Sequence, residues 1–218
     1  LAEKFAHFAE YFLIGTGYTD SGRPETVLEA EEVRKIFVEA GACQQGHFRL
    51  SSGRHSAEYW EKFWVLQWPR QVEILCAEIA RRYREANVEV VFGPTTGGIL
   101  LAFEVARQLG VRALYAEKEN SQRLLRRGLA LEPGTRTLIV DDVMTMGGAV
   151  RECLDLAATH RAEIVGTAVL VDRSGGAVDL GVRQEALLTV QAETFAPEAC
   201  PLCTQGVPIR EPGSHSLT

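Results

Sequence analysis

Cysteine is scarce in this chain, five residues among 218, and the count is odd. Cys43, Cys76 and Cys153 lie far apart and only Cys200 and Cys203 are close, a poor fit to a secreted disulfide framework. Basic residues are in the minority: 23 Lys and Arg against 29 Asp and Glu give a net charge of −6. A nucleic-acid-binding surface needs clustered positive charge, so this balance argues against one. No apolar run approaches the roughly 18 residues that a membrane span needs. The chain has no G-x-G-x-x-G and no G-x-x-x-x-G-K-[ST], so those nucleotide-binding readings lack support. It has no G-x-S-x-G and no H-E-x-x-H either. The first residues carry neither a basic segment nor a cleavage pattern, so they do not read as a signal peptide. Because the sequence opens on Leu1, a fragment or a processed chain is expected, and the expected compartment is the cytoplasm.

What is present is ordinary globular material, 46% apolar and 24% charged, long enough to bury a core as one domain. Leu1, Phe5, Phe8 and Phe12 have near-helical spacing, and a Gly-rich polar linker follows to Pro24. Residues 1–24 therefore read as an extension of unknown role, residues 25–211 as the domain and residues 212–218 as a flexible tail. A helix is expected from Pro24 to about Ala40, with Gly41 as its stop. Residues 46–67 are aromatic and broken by Gly and Ser, and read as irregular strands and turns. Pro69 opens another helix. From residue 88 onward, apolar runs alternate with helical stretches: strands at 88–92, 111–116, 137–140, 164–171 and 186–190, helices at 99–109 and, after a Gly-containing loop, through Thr159, and a charged loop at 117–128. Short apolar runs between helices indicate an α/β fold with a central parallel sheet flanked by helices. Such sheets take ligands at the carboxyl ends of their strands.

The strongest motif lies at such an end. Residues 137–140 deliver Asp141 and Asp142, and Val143, Met144, Thr145, Met146, Gly147, Gly148 and Ala149 lead into a helix. Glycines let backbone N–H groups approach an anion, and a helix N-terminus adds partial positive charge. Thr145 adds a hydroxyl donor. The loop thus suits a terminal phosphate, and the two acids suit hydroxyls or a metal beside it; a ribose 5-phosphate carries both features. The plain alternative is a turn in which the acids cap a helix.

This stretch resembles the phosphoribosyl diphosphate (PRPP) motif of the type I phosphoribosyltransferases. The resemblance implies that Asp141 and Asp142 hold the ribose hydroxyls and that Thr145 to Ala149 wrap the 5-phosphate. Three further segments resemble the orotate phosphoribosyltransferases, in the family's order: Gly46-His47-Phe48-Arg49-Leu50-Ser51-Ser52-Gly53-Arg54-His55-Ser56, Gly93-Pro94-Thr95-Thr96-Gly97-Gly98, and Asp172-Arg173-Ser174-Gly175-Gly176. The segment from Glu198 to Cys203 is similar to the tail of some bacterial members. By this resemblance Thr96, Gly97 and Gly98 hold pyrophosphate, Arg173 and Thr145 contact orotate, His55 stands where relatives carry a Lys that touches PRPP, and Lys62 has a supporting part. The implied fold carries a small hood from about residues 41–67. The implied activity is transfer of ribose 5-phosphate from PRPP to orotate in pyrimidine synthesis, with Mg2+ carried mainly by PRPP and no protein metal ligands. A homodimer is implied, with a hood loop shared between subunits.

The charged loop departs from the family pattern. Lys118 matches a basic position, Glu117 stands where many members have Arg, and Arg123 is the one candidate to replace the missing mid-loop Lys and His. The resemblance makes Lys118 and Arg123 catalytic partners of the acidic pair; for Arg126 and Arg127 a solvated loop is an open alternative. Cys200-x-x-Cys203 is a single pair where a structural zinc needs about four ligands. It reads as a structural turn with free thiols, a metal shared between subunits being the alternative. Two rival functions stay open: transfer to another base, and a non-catalytic PRPP-binding regulator.

Overall fold

The computed structural model describes residues 27–211 apart from 51, 121 and 192. The amphipathic stretch at 1–14, the linker after it and the tail at 212–218 lie outside the described residues. The first described helix, α1 (Ala30–Glu39), starts later than Pro24. A reciprocal capping box between Glu29 and Glu32 fixes that start, and residues 27–29 precede it without helical structure.

Two antiparallel strands follow, β1 (Cys43–Arg49) and β2 (His55–Trp60), then a short helix α2 (Phe63–Leu66) and a long one, α3 (Pro69–Arg82). The α/β part is β3 (Val90–Pro94), α4 (Gly97–Leu109), β4 (Arg112–Glu119), β5 (Gln122–Leu124), β6 (Arg136–Met144), α5 (Gly148–Thr159), β7 (Glu163–Asp172) and β8 (Gln184–Thr189). Its sheet order is β5-β4-β3-β6-β7-β8, parallel throughout except for β5, which folds back on β4. The chain closes with β9 (Thr194–Phe195) and a one-turn helix α6 (Pro201–Thr204). β9 pairs with β2, so the hood is a three-stranded sheet of order β1-β2-β9.

Each face of the parallel sheet has its own core. On one face Val33, Phe37, Leu75, Ile79, Leu101, Val105, Leu138 and Leu170 pack together; on the other, Phe92, Leu114, Ile139, Val150, Cys153 and Val169 do so. Burial on both faces explains why the strands read as continuous apolar runs. A buried carboxylate anchors α3: Glu78 receives Arg81 at 2.8 Å and Arg82 at 2.7 Å. Burial alone would raise its pKa, but the hydrogen bonds from Arg81 and Arg82 outweigh that and hold it at about 2. Among the described residues no helix is long and apolar enough to cross a membrane.

Two expectations are corrected here. The charged loop at 117–128 is in part a hairpin, because β4 extends to Glu119 and returns as β5, with Lys118 directly opposite Arg123. The strand expected at 137–140 runs on to Met144, because β7 pairs with it as far as Met144 opposite Asp172. Asp141 and Asp142 therefore stand inside the strand instead of after it.

Candidate active site

β3 and β6 are parallel neighbours, and each ends in a Gly-containing loop that starts a helix. Between these loops lies the acidic pair, both members buried. Asp141 Oδ1 accepts the Asp142 N–H at 2.8 Å. Asp142 Oδ1 accepts the Val143 N–H at 2.6 Å and Lys62 Nζ at 2.8 Å. Burial, then the neighbouring Asp142 charge, pushes Asp141 up from 3.8 to about 7. Burial also raises Asp142, with Lys62 holding it back. Lys62 follows the hood strand β2 by two residues, so this ion pair joins the hood to the sheet.

The first loop is packed tightly on itself and against the acidic pair. A Cβ on Gly97 would lie 1.7 Å from Asp142 Oδ2, and one on Gly93 would lie 2.3 Å from the Gly98 carbonyl oxygen. Any larger residue at 97 would displace the acid, which gives this glycine its reason. The Thr95–Thr96 peptide is cis.

Helices α4 and α5 begin with free ends. Their N-caps, Thr96 and Gly147, make no side-chain capping bond, and neither first turn holds an acidic residue. The unpaired N–H groups and the positive end of each helix dipole remain for an anion. Gly147 supplies the left-handed φ of 74° that starts α5. Thr96, Thr145, Met146 and Gly148 are exposed around these ends; Gly97, Gly98, Met144 and Gly147 are buried, and Val143 and Ala149 are half-buried. Met144 packs in the core.

The hairpin brings Lys118 and Arg123 together on one acid. Lys118 Nζ is 3.1 Å and Arg123 Nε 2.8 Å from Glu152, on α5. Arg123 Nη1 also reaches Thr95 Oγ1 at 3.4 Å, so this nearly buried guanidinium touches the first loop. Arg126 and Arg127 pair with Glu119 and Glu117 within the same segment, which absorbs the departure at 117.

Arg173 follows β7. Asp172 accepts the N–H groups of Ser174 at 2.8 Å and Gly176 at 3.0 Å, shaping the turn and leaving the Arg173 guanidinium to the hood. Burial lowers the Arg173 pKa, and Tyr59, Glu58 and Cys43 of the hood face it. Among the described residues, two buried side-chain atoms lack a hydrogen-bond partner: Asp142 Oδ2, an acceptor, and Arg173 Nε, a donor. Unsatisfied buried groups are uncommon in folded proteins and ask for an explanation. Both fall on residues that the sequence singles out.

His55 does not join this group. Its imidazole is buried in the hood, with His47 and Cys203 as its neighbours. Lys62, given only a supporting part by sequence, is the direct partner of Asp142. Glu152 is not legible as a site residue, since a lone helical Glu carries no distinguishing spacing, and the turn-shaping part of Asp172 shows only in the fold.

Comparison with known proteins shows the family. A family model described as "Phosphoribosyl transferase domain" matches residues 65–181. The chain is 51% identical over 190 residues to the orotate phosphoribosyltransferase of Pelotomaculum thermopropionicum, covering 87% of this chain and all of that one. It is 49% identical over 191 residues to that of Desulforamulus reducens, covering 88% of this chain and all of that one. Among solved structures, the orotate phosphoribosyltransferase of Aeropyrum pernix superposes with a TM-score of 0.62 at 26% identity, over 73% of this chain and 94% of that one. The chain therefore belongs to the phosphoribosyltransferase family, among its orotate phosphoribosyltransferases.

Proposed function

We propose that this protein transfers ribose 5-phosphate from PRPP to orotate, giving orotidine 5'-phosphate and pyrophosphate. The observation that carries the reading is the pair of orphaned buried atoms, Asp142 Oδ2 and Arg173 Nε, together with two uncapped helix N-termini. An acceptor, a cationic donor and two anion sites match a ribose that carries a phosphate at one end and a diphosphate at the other, together with a planar carboxylate base. Asp141 and Asp142 accept from the ribose hydroxyls, and the backbone from Thr145 to Ala149 anchors the 5-phosphate at the start of α5. Thr96, Gly97 and Gly98 hold the diphosphate at the start of α4. Lys118 and Arg123 reach it by leaving Glu152. Arg173 grips the orotate carboxylate, since a guanidinium suits a planar bidentate acceptor.

The reaction breaks the bond between the ribose C1 and the diphosphate, and positive charge grows on the ring as pyrophosphate leaves. No covalent nucleophile is required; the residues hold the reactants in line and stabilise separated charge. An ionised Asp141 beside the ring favours that charge. Mg2+ fits as a companion of PRPP: Asp142 has a single unengaged oxygen, and Mg2+ is usually held by one or two carboxylates with substrate phosphates and water. When bound it neutralises the leaving diphosphate.

We further propose a homodimer in the cytoplasm. Phe63 and Trp64 of α2 and Leu100 and Phe103 of α4 are exposed apolar side chains on helices that touch each other, a patch suited to a second copy. All five cysteines are free, in keeping with a reducing compartment.

Incubation with Mg2+, PRPP and orotate tests the reading: pyrophosphate release with equimolar loss of orotate is expected. Asp142→Asn should lower kcat/KM by about a hundredfold, as for loss of a charged hydrogen bond in a dry site. No orotate consumption by the wild-type chain would refute the assignment.

A further inference from the structure

The pair Cys200-x-x-Cys203 lacks a second Cys pair in the sequence, but the fold brings two histidines to it. His47 of β1, His55 of β2, and Cys200 and Cys203 at the turn that starts α6 place one ligating atom each within 4.8 Å of one another. His47 Nε2 and His55 Nδ1 stand 3.0 Å apart. Cys200 Sγ is 3.5 Å and Cys203 Sγ 3.7 Å from His47 Nε2, and Cys203 Sγ is 3.3 Å from His55 Nδ1. In a tetrahedral zinc site with Zn–N and Zn–S bonds of ordinary length, nitrogens lie about 3.3 Å apart and a nitrogen and a sulfur about 3.6 Å apart. The four atoms therefore have the spacing of a ligand shell around one point.

We propose that this cluster is a structural Zn2+ site of Cys2His2 type, distinct from the active site. Its outer partner is already in place. His47 Nδ1 is 2.7 Å from the Val207 carbonyl oxygen, which can only accept. The proton is thus on Nδ1 and the Nε2 lone pair points at the cluster, the arrangement that orients a metal-bound imidazole. Three of the four residues are buried, and four protein ligands leave no open coordination position, so the site is structural in kind. Two thiolates and two imidazoles select zinc over Mg2+ or Ca2+, which prefer oxygen. Without a metal, His55 Nδ1–H gives His47 Nε2 one good hydrogen bond, and the two thiols are left as weak donors.

The site would close the hood. It joins β1 and β2 to the C-terminal segment, which also runs along β1: Arg49 N–H donates to the Arg210 carbonyl at 2.9 Å, and Arg210 N–H to the His47 carbonyl at 2.8 Å. Binding releases the two thiol protons as the thiolates form, so affinity falls in acid.

The test is the metal content of the full chain, produced in zinc-supplemented medium and purified without chelators. About one equivalent of zinc per chain is expected, as for a closed four-ligand site. Exchange for Co2+ should give the visible absorption of a tetrahedral thiolate-bound ion. Cys203→Ser and His55→Ala should lose both signals, and the chelated wild type should melt about 5 °C or more below the loaded form. Thiol titration of the folded protein should show Cys200 and Cys203 protected until the metal is removed. Wild-type protein with no bound zinc and no uptake of Co2+, or with a Cys200–Cys203 disulfide in its peptide mass spectrum, would overturn the proposal, and neither readout depends on catalytic activity.

Discussion

Replacing Asp141 by Asn should make the unliganded protein more stable while it impairs catalysis. The carboxyl is buried and stands beside Asp142, and its pKa of about 7 lies above the ordinary 3.8. The sign follows from proton linkage. Between those two values the folded chain holds a proton that the unfolded chain has lost, so the wild type loses stability as pH rises from about 4 to about 7. Above 7 the full cost of the buried charge is present. Asp141 shares this cost with the adjacent buried Asp142, and together it is of the order of a few kcal/mol at about 1.36 kcal/mol per pKa unit. The amide still bears part of the desolvation cost, so a net gain of about 1–3 kcal/mol at pH 8 is expected. That is about 3–9 °C in Tm for a chain of this size. Asn keeps Oδ1 as acceptor for the Asp142 N–H, so the local geometry survives. Denaturant unfolding of both proteins at several pH values reads the difference directly. The gain should be near zero at pH 4, grow to pH 7 and then level off, with kcat/KM for PRPP lowered at least tenfold. A variant that is less stable at pH 8, or a gain independent of pH, would refute the reasoning.

Gly97→Ala should cost most of the activity and about 2–4 kcal/mol of stability, because its Cβ would fall 1.7 Å from Asp142 Oδ2; kinetics and thermal melting check it, and wild-type behaviour would disprove the close contact. Glu78→Gln should lose about 2–3 kcal/mol at pH 7. The cost should shrink as pH falls from about 4.5 toward 2, since the depressed Glu78 contributes stability only while ionised; urea melts across that range measure it. Arg173→Ala should raise the KM for orotate more than tenfold while the KM for PRPP changes little, as expected for loss of one charged contact to the base alone. An unchanged orotate KM would remove Arg173 from the base site.

The alternation of apolar runs with helices made the parallel sheet legible, because burial on both faces forces continuous hydrophobic strands. The acidic pair and its Gly-containing loop were legible too, since the chemistry sits in consecutive residues. What escaped depends on contacts distant in sequence. Lys62 meets Asp142 only because α2 packs under the loop ends, 80 positions away in the chain. The charged residues of the β4–β5 hairpin mask its strand pattern in the sequence, and Glu152, which holds Lys118 and Arg123, comes from the distant helix α5. His47 reads only as part of a family-like segment and His55 as a weak PRPP contact, whereas the fold turns both toward Cys200 and Cys203. The start of α1 at Ala30 reflects the capping box between Glu29 and Glu32, a signal that the sequence reading passed over.

The base specificity is the most direct measure of the account. With PRPP and Mg2+ held constant, kcat/KM should be compared for orotate, uracil, adenine and hypoxanthine by pyrophosphate release. A site that relies on Arg173 gripping a carboxylate should favour orotate over the other three by at least about a hundredfold, the value of a charged hydrogen bond left unmade. Equal or faster turnover of uracil or a purine would contradict it.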